Sequence, residues 1–336
     1  MYDHQTALAG FAASMLLATS AFAGSASEGF RWHSDNEEVY REGTLWNDFI
    51  GDGKDRYKSA GVTQSWVIPE RRLSDERWIE GNNSALELQI RGFVATPDNV
   101  QVGGNPGDRP FVQYAAIGGY LRTTERPVRM GAQTTVSNET RVGVEVGYQG
   151  EPLPFLEIME AVHGQNAVLV NQQNTVDGEA LVNVEARRTL RVHVQLDESD
   201  LQFAPFAQLS AGMRENSGRI GADLIWGGNL AGTTWNHDPA IGTMMPGASL
   251  PTNNFRWAVW TGGDVGFIGT DAFLDGGFDG DGPSVKKERV TTRARLGFLI
   301  GQGPFALAYT ATWLSPEFSN QITAQIVGAI TVKYDF

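Results

Sequence analysis

The stretch QITAQIVGAITVKYDF, residues 321–336, decides the fold. Every second residue from Phe336 back to Ile322 is apolar or small, and the residues between them are mostly polar. This two-residue period is typical of a β-strand with one apolar face. It continues for 16 residues, whereas strands in globular proteins average about five or six. The length indicates a strand that crosses a membrane.

The same alternation recurs along the chain. In residues 174–196, valine, alanine and leucine alternate with asparagine, glutamate, arginine and histidine, and residues 83–97, 286–302 and 304–315 repeat the period. Recurring charged residues do not suit the dry core of a β-sandwich, because burying an unpaired charge is costly. They suit a barrel with a polar lumen and an apolar, lipid-facing outside. A large soluble sandwich with one solvated face is the alternative.

We therefore predict an all-β fold, an antiparallel transmembrane β-barrel of about 12 strands. The predicted strands are 43–50, 59–72, 83–97, 110–124, 130–149, 174–196, 201–214, 218–228, 255–270, 286–302, 304–315 and 320–336. Tyr309, Trp313, Tyr334 and Phe336 are expected in aromatic girdles at the membrane interfaces. The terminal Phe336 also resembles the sorting signal of bacterial outer-membrane barrels, so we predict the bacterial outer membrane as the location.

Two connections stand out in this topology. With both termini in the periplasm, the Gly/Pro/Asn-rich stretch 229–254 falls on the periplasmic side, where bacterial barrels have short turns. Either this stretch is ordered there or the strand count is locally wrong. Residues 153–162 (LPFLEIMEAV) predict a short helix in the third outer connection, because Pro154 suits a first turn and Gly164 a C-terminal stop.

The N-terminal residues 1–23 are predicted to be a signal peptide, since an apolar run ends in the cleavage pattern AFA at 21–23. Residues 24–42 then form an N-terminal periplasmic segment and residues 43–336 the barrel, a monomer inserted by the barrel assembly machinery. The net charge of −13, with no basic patch, argues against nucleic acid as a partner. The absence of cysteine excludes disulfides and thiolate catalysis.

Histidine offers the first candidate for chemistry. Of the five histidines, only His163 falls on an ordered element at the outer rim, and Glu160 would share its helix face. A carboxylate in that position can orient an imidazole that acts as a general base. The alternative is a solvated loop histidine with a chance glutamate neighbour.

The first outer connection holds the second candidate. Asn47 and Asp48, at the end of strand one, offer adjacent amide and carboxylate oxygens of the kind that bind Ca²⁺, and Ser59 begins strand two. An ordinary turn between two strands, which favours Asp and Gly, explains the same residues.

A third candidate for calcium is the acidic, glycine-rich stretch 271–282, which contains Asp271, Asp275, Asp279 and Asp281. Its spacing is not that of an EF-hand loop. A hairpin tip between two strands is the alternative and accounts for the same composition.

Several short motifs follow one another along the chain: WNDF at 46–49, DRYKSAG at 55–61, TP at 96–97, GDRPF at 107–111, TDAFLDG at 270–276 and PSVKK at 283–287. In this order they resemble the LpxR-type lipid A 3′-O-deacylases. Those proteins have an N-D pair, a D-R-x-x-T/S-x-G stretch, a T-P…D-R-P-Y run and an F-L-D-G…S-V-x-K segment. The match spans most of the chain after residue 23.

This resemblance implies a twelve-stranded outer-membrane barrel that hydrolyses ester-linked acyl chains at the 3′ position of lipid A, with Ca²⁺ as cofactor. It implies that Asn47 and Asp48 bind calcium, that Asn47 stabilises the oxyanion, and that Ser59 lies near the reacting carbonyl. His163 matches the general base to water, which Glu160 would orient. Lipopolysaccharide and other outer-membrane lipids would be the partners.

A non-enzymatic barrel is the alternative function, either a small porin or an inactive relative that binds lipid A. Two departures from the family pattern favour it. Met159 stands where a glutamine often precedes the histidine by four residues, and no lysine follows Thr96-Pro97. An outer-membrane phospholipase of broader specificity would use calcium in the same way, but the Ser-His-Asn arrangement of such enzymes is not recognisable in the sequence.

Overall fold

The chain folds as a β-barrel in a computed structural model, which describes residues 39–54, 56–69, 83–98, 107–151, 153, 174–230, 233–247 and 254–335. Twelve long strands form the wall: β1 (Tyr40–Asn47), β2 (Tyr57–Pro69), β3 (Asn83–Thr96), β4 (Val112–Thr124), β6 (Thr134–Gln149), β7 (Glu179–Gln195), β8 (Asp200–Gly212), β9 (Glu215–Gly228), β12 (Arg256–Asp271), β13 (Val290–Gln302), β14 (Phe305–Leu314) and β15 (Gln325–Asp335). The shorter elements are β5 (Val128–Arg129), β10 (Trp235–His237), β11 (Met244–Pro246) and one helical turn, α1 (Ala272–Asp275).

Each long strand pairs antiparallel with its neighbour along the chain, and β1 pairs with β15 to close the wall. Tyr40 lies opposite Asp335, so the first and last strands begin and finish at the same end of the barrel. We call this the terminal end and the opposite one the distal end. The predicted antiparallel barrel of twelve strands is confirmed. Among the described residues, no helix is long and apolar enough to cross a membrane.

Two pairs of aromatic side chains lie on the outer wall at the terminal end and form part of a girdle. The ring centroids of Trp226 and Trp257 are 4.9 Å apart, and those of Phe305 and Tyr334 are 4.6 Å apart. Aromatic rings concentrate where a membrane meets water, so this girdle marks one membrane boundary and includes the predicted Tyr334. Phe336 lies outside the described residues.

Charged side chains fill the lumen and pair across it. Glu87 accepts hydrogen bonds from Arg122 and Arg141 at 3.0 Å, and Asp264 accepts from Arg293 and Arg295 at 2.9 Å. Buried charges need such partners, because removing one partner leaves the other charge uncompensated away from water. The polar lumen predicted from the recurring arginine and glutamate residues is confirmed.

Residues 233–247, which we call the lumenal ribbon, lie inside the barrel. Its strands β10 and β11 pair antiparallel. Asn236 of the ribbon accepts a hydrogen bond from Arg122 and donates one to Glu42 at 2.8 Å. The chain thus leaves the wall at the terminal end after β9, as the strand parity predicts, and contacts with the lumen wall hold residues 233–247 in place.

An aromatic cluster closes the lumen at the distal end. Phe273 of α1 stacks edge-on against Phe93 and Tyr114, with centroid distances of 5.3 and 5.0 Å. Ile241 of the lumenal ribbon and Trp46 of β1 belong to the same buried cluster. The barrel is therefore filled from both ends, by the ribbon and by α1.

The predicted strands agree with the observed ones in number and order but differ at their ends. β1 begins at Tyr40, so the predicted boundary after residue 42 falls inside a strand. β15 begins at Gln325 rather than at residue 320, because the chain turns where Gln321 donates its N–H to Phe318. The predicted signal peptide and, apart from Leu153, the predicted helix 153–162 lie outside the described residues.

Candidate functional site

Asn47 ends β1 on the outer face of the wall. Trp46 before it is buried in the lumen cluster, so the alternation of the strand directs Asn47 outwards. The side-chain oxygen of Asn47 accepts the N–H of Phe49 at 2.7 Å, as in an Asx turn. This bond fixes the orientation of the amide and directs its Nδ2 group away from the Phe49 N–H.

Asp48 is buried in the turn between β1 and β2. Its carbonyl oxygen accepts the N–H groups of Gly51 and Asp52, each at 2.9 Å, and its N–H donates to the carbonyl of Ser59 at 3.1 Å. Its carboxylate Oδ2 accepts the N–H of Arg56 at 2.6 Å. The carboxylate therefore closes the turn and holds the start of β2 beside the end of β1.

The turn folds back over the outer wall of β15. The Tyr309 hydroxyl, half-buried on β14, donates to the carbonyl of Ile50 at 2.9 Å, so Tyr309 supports the turn rather than a girdle. Glycine is required at position 328, because a Cβ there would collide with the Ile50 backbone. Phe49 remains 44% exposed beside this contact, which leaves an apolar ring next to Asn47.

A β-bulge in β2 sets the direction of Ser59. The pairing with β3 shifts between Lys58 and Ala60, so Ser59 is the extra residue. Lys58 points into the lumen, where its Nζ donates to the carbonyl of Ala240 in the lumenal ribbon at 2.7 Å. Ser59 faces the other way, with its Oγ 2.7 Å from Oγ1 of Thr96. Bulges re-aim side chains in this manner and occur beside active sites.

Thr96 lies on the outer face of β3. Phe93 packs in the lumen cluster, so Val94 and Thr96 point outwards by alternation. Both are buried, whereas Ile90, on the same face nearer the terminal end, is 40% exposed. The distal part of the outer face that carries Ser59 and Thr96 is therefore screened from solvent.

The predicted calcium ligands have suitable chemistry. The amide oxygen of Asn47 and the carboxylate of Asp48 are hard oxygen donors, and Ca²⁺ takes about six to eight of these. Within the described part of the chain, no group of three or more acidic or histidine residues is arranged to hold a metal. Asn47 and Asp48 could supply two of these oxygens, and the remaining ligands of a calcium ion would include water and substrate oxygens.

Two further predicted site residues, His163 and Glu160, lie outside the described residues. Their predicted roles, general base and orienting carboxylate, rest on the sequence and on the family resemblance.

The acidic stretch 271–282 was predicted as a calcium site or a hairpin tip, and it lies in the connection between the paired strands β12 and β13, where its first part forms α1. Asp271 caps α1, where its Oδ1 accepts the N–H of Phe273 at 3.0 Å. Asp275 accepts the N–H of Asp271 at 2.8 Å and pairs with Lys287 at 2.6 Å. The F-L-D-G and S-V-x-K motifs meet in this ion pair, which anchors α1 in the distal mouth.

The arginines of the two D-R motifs join the distal loops. Arg56 lies 3.6 Å from a carboxylate oxygen of Asp98, and Arg109 lies 3.3 Å from Glu317. Asp108 accepts the N–H groups of Asp98 and Arg109, each at 2.8 Å. These motif residues therefore shape the rim around the site.

Neither Thr96 nor Tyr309 was placed at the candidate site from the sequence alone. Thr96 stood in the quoted T-P motif, so its family position was a usable signal. Tyr309 was expected in a girdle because it is an outward-facing aromatic residue on a strand. Its own sequence neighbourhood does not show that the turn after β1 packs over it.

Comparison with known proteins shows a similarity to one family over part of the chain. The model described as "Outer membrane protein LpxR" matches residues 171–336. The fold matches LpxR from Salmonella typhimurium with a TM-score of 0.70 and 15% identity, over 88% of this chain and all of that one. The beta domain of the Bordetella autotransporter BrkA gives a TM-score of 0.41 at 10% identity, over 89% of this chain and 99% of that one. The translocator domain of the autotransporter NalP from Neisseria meningitidis gives a TM-score of 0.40 at 12% identity, over 98% of each chain. No curated protein matches the sequence significantly.

Proposed function

We propose that the chain is a bacterial outer-membrane β-barrel of the LpxR family and that it is a lipid A deacylase-like hydrolase. It would remove the ester-linked 3′-acyl chains of lipopolysaccharide at the outer leaflet. The distal end is then extracellular, because bacterial barrels keep both termini in the periplasm.

The observation that carries this proposal is that Asn47 and Ser59 lie on the outer side of the wall, where Asn47 is partly exposed and Ser59 is buried beside Thr96. A site in the lumen would meet only water-soluble molecules, and this lumen is occupied by the lumenal ribbon. A site on the outer face meets lipids. The turn beside Asn47 adds the exposed ring of Phe49, which suits contact with acyl chains.

The depth of the site also favours a lipid ester. Asn47 lies opposite Gly328, six residues along β15 from Tyr334 in the terminal girdle. At about 3.3 Å per residue and a tilt of about 40°, Asn47 is roughly 15–20 Å above that girdle, in an apolar band about 25 Å tall. This height is above the midplane of the band, so Asn47 lies at the level of the outer leaflet and its acyl chains.

In the proposed reaction, water attacks the ester carbonyl to give a tetrahedral oxyanion, which collapses to a fatty acid and the sugar hydroxyl. His163 takes the proton of the attacking water and returns it to the departing sugar oxygen, while Glu160 orients the imidazole. The Asn47 amide and the Ser59 hydroxyl donate hydrogen bonds to the oxyanion. Ca²⁺ bound by Asn47 and Asp48 would polarise the carbonyl.

Lipid A mass spectrometry tests the function. Purified protein in detergent with Ca²⁺ should convert hexa-acylated lipid A into a product lighter by one 3′-acyloxyacyl group, and cells that carry the gene should show the same loss. Lipid A of unchanged mass after incubation at saturating Ca²⁺ would overturn the proposal and leave the inactive, lipid A-binding relative.

The filled lumen separates this proposal from the porin alternative. Because the lumenal ribbon and the distal aromatic cluster occupy the barrel, we expect no steady ion conductance from the protein in planar bilayers. An open porin of similar strand number, inserted under the same conditions, provides the positive control. A stable conductance step for each inserted barrel would contradict the closed lumen and favour the porin.

A further inference from the structure

The tip of the lumenal ribbon, residues 238–241, contacts β2 from inside the barrel. Asp238 organises this tip, because its Oδ1 accepts the N–H groups of Ala240 and Ile241 at 2.8 and 3.1 Å. Its other oxygen accepts the hydroxyl of Thr63, on β2, at 2.6 Å. Asp238 and Thr63 are both buried, so this contact excludes water.

A second contact joins the ribbon tip to the bulge itself. The Nζ of Lys58 donates to the carbonyl of Ala240 at 2.7 Å and to Glu317 at 2.6 Å. Burial acts to raise the pKa of Glu317, but the charges of Lys58 and Arg109 outweigh it and lower that pKa below its usual value. Glu317 is therefore an anion that holds Lys58 against the ribbon.

The same bulge is clamped from β15. The side-chain amide of Gln325 donates to the carbonyls of Arg56 and Lys58 at 2.6 and 3.1 Å, and its oxygen accepts the N–H of Lys58 at 3.2 Å. Gln325 is buried. The backbone before Ser59 is thus fixed by Gln325, and the side chain before Ser59 is fixed by the ribbon.

We infer that Lys58 is a positioning residue through which the lumenal ribbon holds Ser59 on the outer face of the wall. A bulge adds one residue to a strand, so the backbone hydrogen bonds between β2 and β3 do not by themselves determine whether Lys58 or Ser59 faces the lumen. The contacts of Lys58 with Ala240 and Glu317 hold Lys58 in the lumen, and Ser59 therefore faces outwards. A segment that enters from the periplasmic end thereby braces a site that faces the outer leaflet. We call these contacts the brace. Its effect on deacylation rests on the proposed function, whereas its effect on the position of Ser59 does not.

Replacing Lys58 with methionine keeps the length of the side chain and removes the ammonium group. The carbonyl of Ala240 and the carboxylate of Glu317 then lose a buried donor, so the inward position of residue 58 is no longer favoured. Lys58→Arg retains a cation that can reach the same acceptors. Lys54→Met is the matched control, because Lys54 lies in the same connection and is exposed.

A single-thiol reporter tests the brace without an activity assay. The chain has no cysteine, so Ser59→Cys introduces a unique thiol at a position that is only 1% exposed. We expect Lys58→Met to raise the rate at which N-ethylmaleimide labels this introduced thiol by about 10-fold or more. Lys58→Arg and Lys54→Met should leave the rate near that of Ser59→Cys alone. Heat-modifiable gel migration identifies folded barrels.

The ribbon side of the contact supplies a second variant. Thr63→Val removes one hydroxyl, keeps the shape of the side chain, and should raise labelling of the introduced thiol in the same direction as Lys58→Met. Equal labelling rates for Ser59→Cys alone and for its combinations with Lys58→Met and Thr63→Val would overturn the inference, whether or not the protein hydrolyses lipid A.

Kinetics in the protein that retains Ser59 complete the test. Lys58→Met should lower kcat for deacylation by about 10-fold or more with KM within about twofold, and Lys58→Arg should restore most of kcat. A general loss of folding would reduce the amount of active protein instead, and Lys58→Arg would not rescue it selectively. If labelling changes but the unaltered protein leaves lipid A intact, the brace stands and the proposed function fails.

Discussion

His163→Ala is expected to lower the rate of lipid A deacylation by about 10²–10⁴-fold, the range that a positioned general base contributes. Water is a poor nucleophile toward an ester at neutral pH, and the proposed site offers His163 as the group that takes its proton. KM should change little, because the imidazole contacts the attacking water rather than the acyl chain. Glu160→Gln should cause a smaller loss, since it removes an orienting contact.

The measurement is the single-turnover rate on hexa-acylated lipid A, followed by mass spectrometry. His193→Ala is the matched control, because His193 lies on β7 near the terminal end, where its Nε2 is 2.9 Å from Asp200, far from the proposed site. Undiminished deacylation by His163→Ala would remove His163 from the mechanism. Equal losses in both variants would point to a general effect on the barrel.

The strand count could be predicted from the sequence because a barrel wall imposes one rule on every strand. Lipid on one side and charged partners on the other enforce a two-residue period over lengths that soluble strands do not reach. The same rule sets the parity that sends 229–254 to the terminal end. It could not predict that the lumenal ribbon folds inwards, because that fold depends on contacts with distant residues such as Arg122 and Glu42.

The residue types of the candidate site could be proposed from the sequence, but their geometry could not. Asn47, Asp48 and Ser59 were found from motif order, and their positions at one end follow from topology. The direction of Ser59 depends on a bulge, which is a property of two paired strands and not of β2 alone. Nothing in the sequence distinguishes Lys58 from any other lysine at the rim, because its role depends on contacts with Ala240 and Glu317, which are distant in the chain.

Asp48→Asn is expected to raise the Ca²⁺ concentration needed for half-maximal deacylation by about 100-fold or more. The substitution preserves shape, and the new amide oxygen can still accept the N–H of Arg56 that Asp48 holds at 2.6 Å, so the turn should keep its fold. What is lost is one negative charge next to Asn47. Affinity for Ca²⁺ depends strongly on the charge of its ligands, and a factor of 100 corresponds to about 2.8 kcal/mol.

The matched control is Asp52→Asn in the same turn. The Asp52 carboxylate lies 3.5 Å from Arg56 and accepts the N–H of Ile326. It therefore stabilises the loops at the rim and is not a ligand of the proposed calcium ion. Its Ca²⁺ dependence should stay within a fewfold of that of the unaltered protein, while chelation with EDTA should abolish activity in both. If Asp48→Asn and Asp52→Asn shift the dependence equally, the calcium acts through the loop as a whole. If neither shifts it, Asp48 is only the residue that closes the turn, and the oxyanion would depend on Asn47 and Ser59 alone.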